Sequence, residues 1–225
     1  MVLLLVLAFI VALVGLSLLG RLLKRMKKPA TVPGSVRVPA TVFPEDYLFS
    51  PGHLWLDRES PGRTRIGVDE LVASFFYQPD NIHLMKPGDT ITIGDTMAIL
   101  RKGDKELYLT SPVSGTVVQT HSVFADAPET LTIDPYKLGW IYVVKPQRLD
   151  RAGEGLRKGK AARQWMTAEM ARLREFVLRC RPQPVLQSNT LSDGGRLIEG
   201  YIDQMDQAAI EMFEREFLSI SRRTG

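Results

Sequence analysis

Two lysines flank a Gly-Asp pair in the stretch Ile99–Gly115, ILRKGDKELYLTSPVSG. Lys102 and Lys105 each carry a primary amine, the group that a carboxylic acid acylates to form an amide. Gly103-Asp104 suits a two-residue hairpin turn, with the two lysines as its flanks. Asp104 itself offers a carboxylate and has no amine to acylate. Other reactive side chains are scattered. His53, His83 and His121 lie far apart, and Cys180 is the single cysteine, so neither a CxxC zinc motif nor an intrachain disulfide is available. The histidines read as structural or surface residues, and Cys180 as a packed one. Asp69-Glu70 reads as the start of a helix. No nucleophile–base pair, phosphate loop or carboxylate dyad is present, so we expect no catalytic residue and no metal ligand.

The elements that position the lysines are short strands. From Tyr47 to Pro146, Pro61-Gly62, Pro87-Gly88-Asp89, Gly94-Asp95, Gly103-Asp104 and Ser114-Gly115 punctuate runs rich in Val, Ile, Leu and Thr. Thr90-Ile91-Thr92-Ile93 and Glu106-Leu107-Tyr108-Leu109 alternate polar and apolar residues, as half-buried strands do. One helix is predicted among them, Asp69 to Phe76. Trp55 and Trp140 are expected in the core. This pattern predicts a mainly β sandwich or flattened barrel.

In order along the chain, His53-Leu54-Trp55, Arg65-Ile66-Gly67-Val68 before Asp69-Glu70, Lys86-Pro87-Gly88-Asp89 with Gly94-Asp95, Ser111-Pro112-Val113-Ser114-Gly115, Ala125-Asp126-Ala127-Pro128-Glu129, Asp134-Pro135-Tyr136 with Gly139-Trp140-Ile141, and Lys145-Pro146 resemble motifs of the glycine cleavage system H protein family. The resemblance covers about 100 residues. It implies a lipoyl-type sandwich of two small antiparallel sheets. It also implies a carrier whose hairpin lysine is amide-linked to lipoic acid, serving a pyridoxal-phosphate decarboxylase, a folate-dependent transferase and a dehydrogenase.

In that family the modified lysine lies seven residues before the first Ser of the SPVSG turn. Here that position is Asp104, with Lys105 one residue late and Lys102 two residues early. A one-residue slip re-aims a strand side chain, although a one-residue insertion would bring Lys105 into register. An acidic residue that precedes the lysine in the family has become Arg101. The expectation is that no cofactor is carried, with a lipoyl group on Lys105, or less readily on Lys102, as the alternative. Biotin carriers place their lysine between two methionines. Met85-Lys86 is followed by Pro87 and is read as chance.

Residues 1–19, MVLLLVLAFIVALVGLSLL, carry no charge. As a helix they would extend about 29 Å, close to a ~30 Å hydrocarbon core. Arg21, Lys24, Arg25, Lys27 and Lys28 follow at once, and no A-x-A cleavage site lies near the end of the run. The sequence therefore predicts an uncleaved anchor over residues 1–20, single-pass in the cell (inner) membrane. Retention of positive charge on the cytoplasmic side puts the amino terminus outside and the main domain in the cytoplasm. Residues 21–46 form a basic juxtamembrane segment and a linker carrying Pro29, Pro33, Pro39 and Pro44. The formal net charge of +4 is local to that basic cluster. No strand interleaves aromatic and basic residues, so nucleic acid is not an expected partner.

Residues 47–146 form the sandwich domain and 147–225 a helical extension. Lys160 to Arg181 is predicted as a helix with the stripe Met166, Met170, Leu173 and Val177, stopped by Pro182 and Pro184. Arg196 to Ser219 is predicted as a second helix, with Ile198, Ile202, Met205, Ala209, Met212 or Phe213, and Ile220 as its stripe. The first is basic and the second acidic, so a helical hairpin with complementary faces is expected. It would pack on the sandwich, self-associate, dock a partner protein or lie on anionic lipid. Together these readings predict a membrane-tethered, non-catalytic adaptor that binds a protein partner through its sandwich face or its added helices. The alternative is a lipoyl carrier modified at Lys105.

Overall fold

The computed structural model describes residues 42–147, 155–180 and 201–219. The anchor predicted over residues 1–20 and most of the linker lie outside them. Among the described residues no helix is long and apolar enough to cross a membrane.

The chain builds β1 (Leu48–Phe49), β2 (Leu54–Ser60) and β3 (Arg63–Val68), then the short helix α1 (Glu70–Phe75). Next come β4 (Asn81–Leu84), β5 (Thr90–Ile91), β6 (Thr96–Lys102), β7 (Lys105–Thr110) and β8 (Gly115–Thr120). A 3₁₀ turn at Ser122–Ala125 and the single turn α2 (Thr130–Ile133) lead into β9 (Trp140–Pro146). The extension supplies β10 (Arg157–Lys158), the long helix α3 (Gly159–Cys180), a 3₁₀ turn at Tyr201–Gln204, α4 (Gln207–Phe213) and a π-helical turn at Glu214–Leu218.

Two antiparallel sheets result. The larger runs β10-β1-β2-β3-β9-β8-β5 and the smaller β4-β6-β7. The alternation read in β7 is real: Leu107 and Leu109 are buried, and Tyr108 is exposed. Only Thr90 and Ile91 of the expected Thr90–Ile93 strand pair with β8. The two Gly-Asp turns make the same exchange of backbone bonds. Gly88 N donates to Val117 O and Val117 N to Asp89 O, while Gly94 N donates to Ser111 O and Ser111 N to Asp95 O. Inside the Ser-Pro-Val-Ser-Gly turn, Ser111 Oγ donates to Val113 O and Ser114 Oγ accepts from Ile93 N. These hydroxyls tie loops together, which is why that turn needs serines.

Trp55 is buried and its indole Nε1 donates to Pro135 O at 2.9 Å. Trp140 is only partly buried and packs against the core, its ring 4.0 Å from the His121 ring. Asp69 caps α1: its Oδ1 accepts from the backbone N of Leu71 and Val72.

The first extension helix forms where expected, and Met166, Leu173 and Val177 are buried. The second departs from a continuous helix over Arg196–Ser219. It breaks at Met205-Asp206, where the Asp206 carboxylate accepts from Ala209 N and starts α4 afresh. The restart and the π turn shift the phase of the apolar face. Ile202, Met205, Ala209 and Phe213 are buried as expected. Ile210, Phe217 and Leu218 join them, and Met212 faces solvent. Ile198 and Ile220 lie outside the described residues.

This extension packs on the sandwich. Phe213 stacks on Phe75 of α1 with ring centroids 3.7 Å apart, and Phe176 of α3 meets both rings edge-on. The expected charge complementarity between the two arms is present at Arg179 and Glu216, 2.9 Å apart. Such an exposed pair contributes little beside the aromatic burial.

Candidate functional site: the β6–β7 hairpin and the segment that covers it

Lys102 ends β6 and Lys105 begins β7, and the two are paired across the hairpin. Gly103-Asp104 forms the turn between them. Gly103 sits at φ +60°, in the left-handed region that glycine occupies without penalty, and its N–H donates to Asp80 Oδ2 at 2.7 Å. The crest therefore presents the exposed Asp104 carboxylate.

Two ammonium groups directly opposite one another repel. Here each is drawn to its own acceptors. Lys102 Nζ donates to Tyr77 O at 2.8 Å and meets the Asp203 carboxylate at 3.1 Å. Lys105 Nζ donates to Ile202 O at 2.7 Å and Asp203 O at 3.1 Å. The carbonyls that Lys105 takes belong to the 3₁₀ turn Tyr201–Gln204, whose end leaves carbonyls in need of donors. Arg101 forms a cross-strand pair with Glu106 at 2.8 Å. The Tyr108 hydroxyl, which donates to the Glu106 carboxylate, and the Arg101 guanidinium hold that carboxyl below its usual range.

The cover continues along β7, the outer strand of the smaller sheet. Glu106 N donates to Gln207 Oε1 at 3.4 Å and Tyr108 N to Glu214 Oε1 at 2.7 Å. Thr110 Oγ1 donates to Leu218 O at 3.1 Å. Glu106 and Tyr108 face Arg101 and Ile99 in the ladder, and their N–H groups point away from β6. Burial pushes the Glu214 carboxyl up, against the bond from Tyr108 N.

Asp203, Gln207 and Glu214 are the functional neighbours that reasoning from the sequence missed. The signal was the acidic run 197–217, whose partners include the lysine hairpin as well as the basic helix. Arginines of that helix are turned toward their own protein. Arg163 pairs with Glu45, Arg172 with Glu169 and Arg179 with Glu216, and Arg157 of β10, just before the helix, lies over the Trp165 ring.

A second cluster joins the sandwich to α3. His53, at φ +57°, is buried between two carboxylates. Its Nδ1 is 2.8 Å from Asp69 Oδ2, its Nε2 is 3.7 Å from Glu169 Oε2, and Trp165 stacks on the ring at 4.8 Å. Burial alone would lower the imidazole, but Asp69 and Glu169 outweigh it and raise its pKa to about 9. Among the described residues no hydroxyl or thiol is bonded to this histidine, so the cluster acts as a charged clasp between elements. His83 is exposed on β4, and His121 packs against Trp140 and Phe124. Burial raises the Cys180 thiol. Among the described residues no group of three or more His, Cys, Asp or Glu side chains is placed to hold a metal ion.

Two antiparallel sheets carrying an exposed lysine-flanked hairpin define a carrier-type β domain. Residues 47–169 match the family model described as "Glycine cleavage H-protein", and the chain belongs to that family. It is 36% identical over 104 residues to the glycine cleavage system H protein of Xanthomonas euvesicatoria pv. vesicatoria (strain 85-10), covering 45% of this chain and 78% of that protein. Against the protein of the same name from Xanthomonas campestris pv. campestris (strain B100), identity is 34% over the same coverage. Among solved structures, an H protein from Mycobacterium marinum aligns with a TM-score of 0.48 at 24% identity, over 56% of this chain and 98% of that one.

Whether the hairpin suits the lipoyl group of this family is a question of where its amines are. The crest offers a carboxylate, and both flanking amines are engaged by the extension. As folded, neither flanking amine is free of the extension.

Proposed function

We propose that this chain is a membrane-tethered, non-catalytic adaptor built on an H-protein domain, in which the carrier hairpin seats the chain's own extension in place of a lipoyl arm. The observation that carries this reading is the 2.7 Å bond from Lys105 Nζ to Ile202 O beside an exposed Asp104. An ammonium that donates to two carbonyls has no lone pair directed at an acyl donor. The tether is supported by the uncharged run of residues 1–19 and the basic cluster after it, a charge asymmetry that favours a domain on the cytoplasmic side. The exposed faces of the larger sheet and of α3 remain for a protein partner.

Intact-mass analysis of the full chain from a lipoate-replete host tests the absence of the arm. We expect no lipoyl adduct, and a stoichiometric gain of about 188 Da overturns the reading. The tether predicts that the chain sediments with membranes and is released by detergent but not by high salt.

Family membership favours a second reading, a lipoyl carrier modified at Lys105. It predicts that any adduct disappears in Lys105→Arg.

A further inference from the structure

We propose that residues 201–218 are a cis-acting cap that withholds the Lys105 amine from acylation and opens as a unit while α3 and the sandwich stay folded. The proposal rests on the reading of the hairpin as a carrier hairpin that seats the extension.

Three observations carry it. First, the cap meets each polar group that the hairpin offers on that side. The Lys102 and Lys105 amines, the outward N–H groups of Glu106 and Tyr108, and the Thr110 hydroxyl all donate to residues 203–218 or to the carbonyl of Ile202. This is the footprint of a docked ligand rather than of a neighbouring loop. Second, α3 has its own seat. It is held to the sandwich through His53 to Glu169, Trp165 over His53, and Phe176 against Phe75. The cap adds to this seat, through Phe213 and Phe217 against Phe176 and Glu216 against Arg179, but the three contacts named are made by α3 and sandwich side chains alone. Third, the cap consists of a four-residue 3₁₀ turn, a seven-residue α-helix and a five-residue π turn. Helices so short are not stable alone, so they are ordered by docking and are lost together.

Opening leaves the hairpin's polar groups in water, where solvent replaces each acceptor at small net cost. The resistance comes from Ile202, Ile210, Phe213, Phe217 and Leu218, all buried. Capped, the Lys105 side chain is an ammonium bound to two carbonyls. Uncapped, its neutral form can attack an activated ester. The C–N bond forms, the C–O bond of the ester breaks, and the leaving group departs as the amine loses a proton.

The test uses the full chain in detergent and the acetyl ester of N-hydroxysuccinimide, with acetylation at each lysine followed by peptide mass spectrometry. Lys137 and Lys145 are exposed and serve as internal references. In the unaltered chain we expect Lys105 to react at least tenfold more slowly than Lys145. In Ile210→Asp, which puts a charge at a buried cap position, we expect Lys105 to react within threefold of Lys145 while hydrogen exchange of the β2 and β3 amides stays native. Equal rates in the unaltered chain overturn the proposal. So does a slow Lys105 in Ile210→Asp with native exchange in β2 and β3. If Ile210→Asp unfolds the sandwich, amide hydrogen exchange on the unaltered chain decides. Exchange of the Glu106 and Tyr108 amides at least tenfold faster than that of Leu107 supports a separate opening, and equal exchange overturns it. A lipoyl adduct in the unaltered chain would instead remove the adaptor reading, whatever the acetylation rates.

Discussion

Lys105 and Ile202 stand 97 residues apart in the chain, and the amine of one lies 2.7 Å from the carbonyl oxygen of the other. An amine one residue past the hairpin crest is thereby taken up by the end of a 3₁₀ turn. Lys105→Met removes this donor and leaves two carbonyls to water. We expect it to lower unfolding free energy by about 1–2 kcal/mol, read from urea denaturation. A change below about 0.3 kcal/mol would show that the contact contributes nothing in solution.

Asp104 is clear of the cap and occupies the crest. Asp104→Lys therefore puts an exposed amine seven residues before Ser111, the spacing at which the resemblance puts the family's modified lysine. In a lipoate-replete host this variant is expected to gain about 188 Da by intact-mass analysis, while the parent chain does not. Absence of that gain would place the barrier in the flanking residues, Arg101 foremost.

The clasp at His53 makes stability depend on pH. The folded imidazole titrates at about 9 against an unfolded value of 6.5. Its contribution is present in full below the unfolded value and is lost as pH rises through about 9. Glu70 acts with the same sign: burial first, and then the Asp69 charge, raise its carboxyl from 4.5 to about 7. Melting temperature should fall between pH 6 and pH 10. In His53→Gln the part of that fall between about pH 7 and pH 9 should disappear. A parallel slope in the variant would reject the clasp as its source.

The broken second arm assigns opposite roles to adjacent residues. Phe213 is buried against Phe75, whereas Met212 is exposed. Phe213→Ala is expected to cost about 3–5 kcal/mol and Met212→Ala less than about 0.5 kcal/mol, both by chemical denaturation. Similar costs at the two positions would contradict the restart at Asp206.

The strands and turns were legible because period-two alternation and Gly-Asp turns are local. Leu107 and Leu109 announce a buried face, and Gly103-Asp104 announces the turn that the hairpin makes. Asp69 as a helix start was equally local. The Lys105 acceptors were not legible, because they are backbone carbonyls whose position depends on how the extension folds back. His53 was read as structural without its charge, since that charge depends on Glu169, which only α3 brings near. The break at Met205-Asp206 had a signal, an aspartate suited to cap a new helix. It was hidden by apolar residues spaced so that one uninterrupted stripe accounted for them.

Gln207, Glu214 and Leu218 meet β7 in the order Glu106, Tyr108, Thr110, so residues 207–218 run alongside the outermost strand and in the same direction. A strand with bare outward amides invites another strand to join it, from a stray peptide or from a neighbour. Among the described residues the smaller sheet stops at three strands, with residues 207–218 along its β7 edge. Loss of residues 201–218 would turn a finished margin into an open one, and aggregation through the β7 edge would follow.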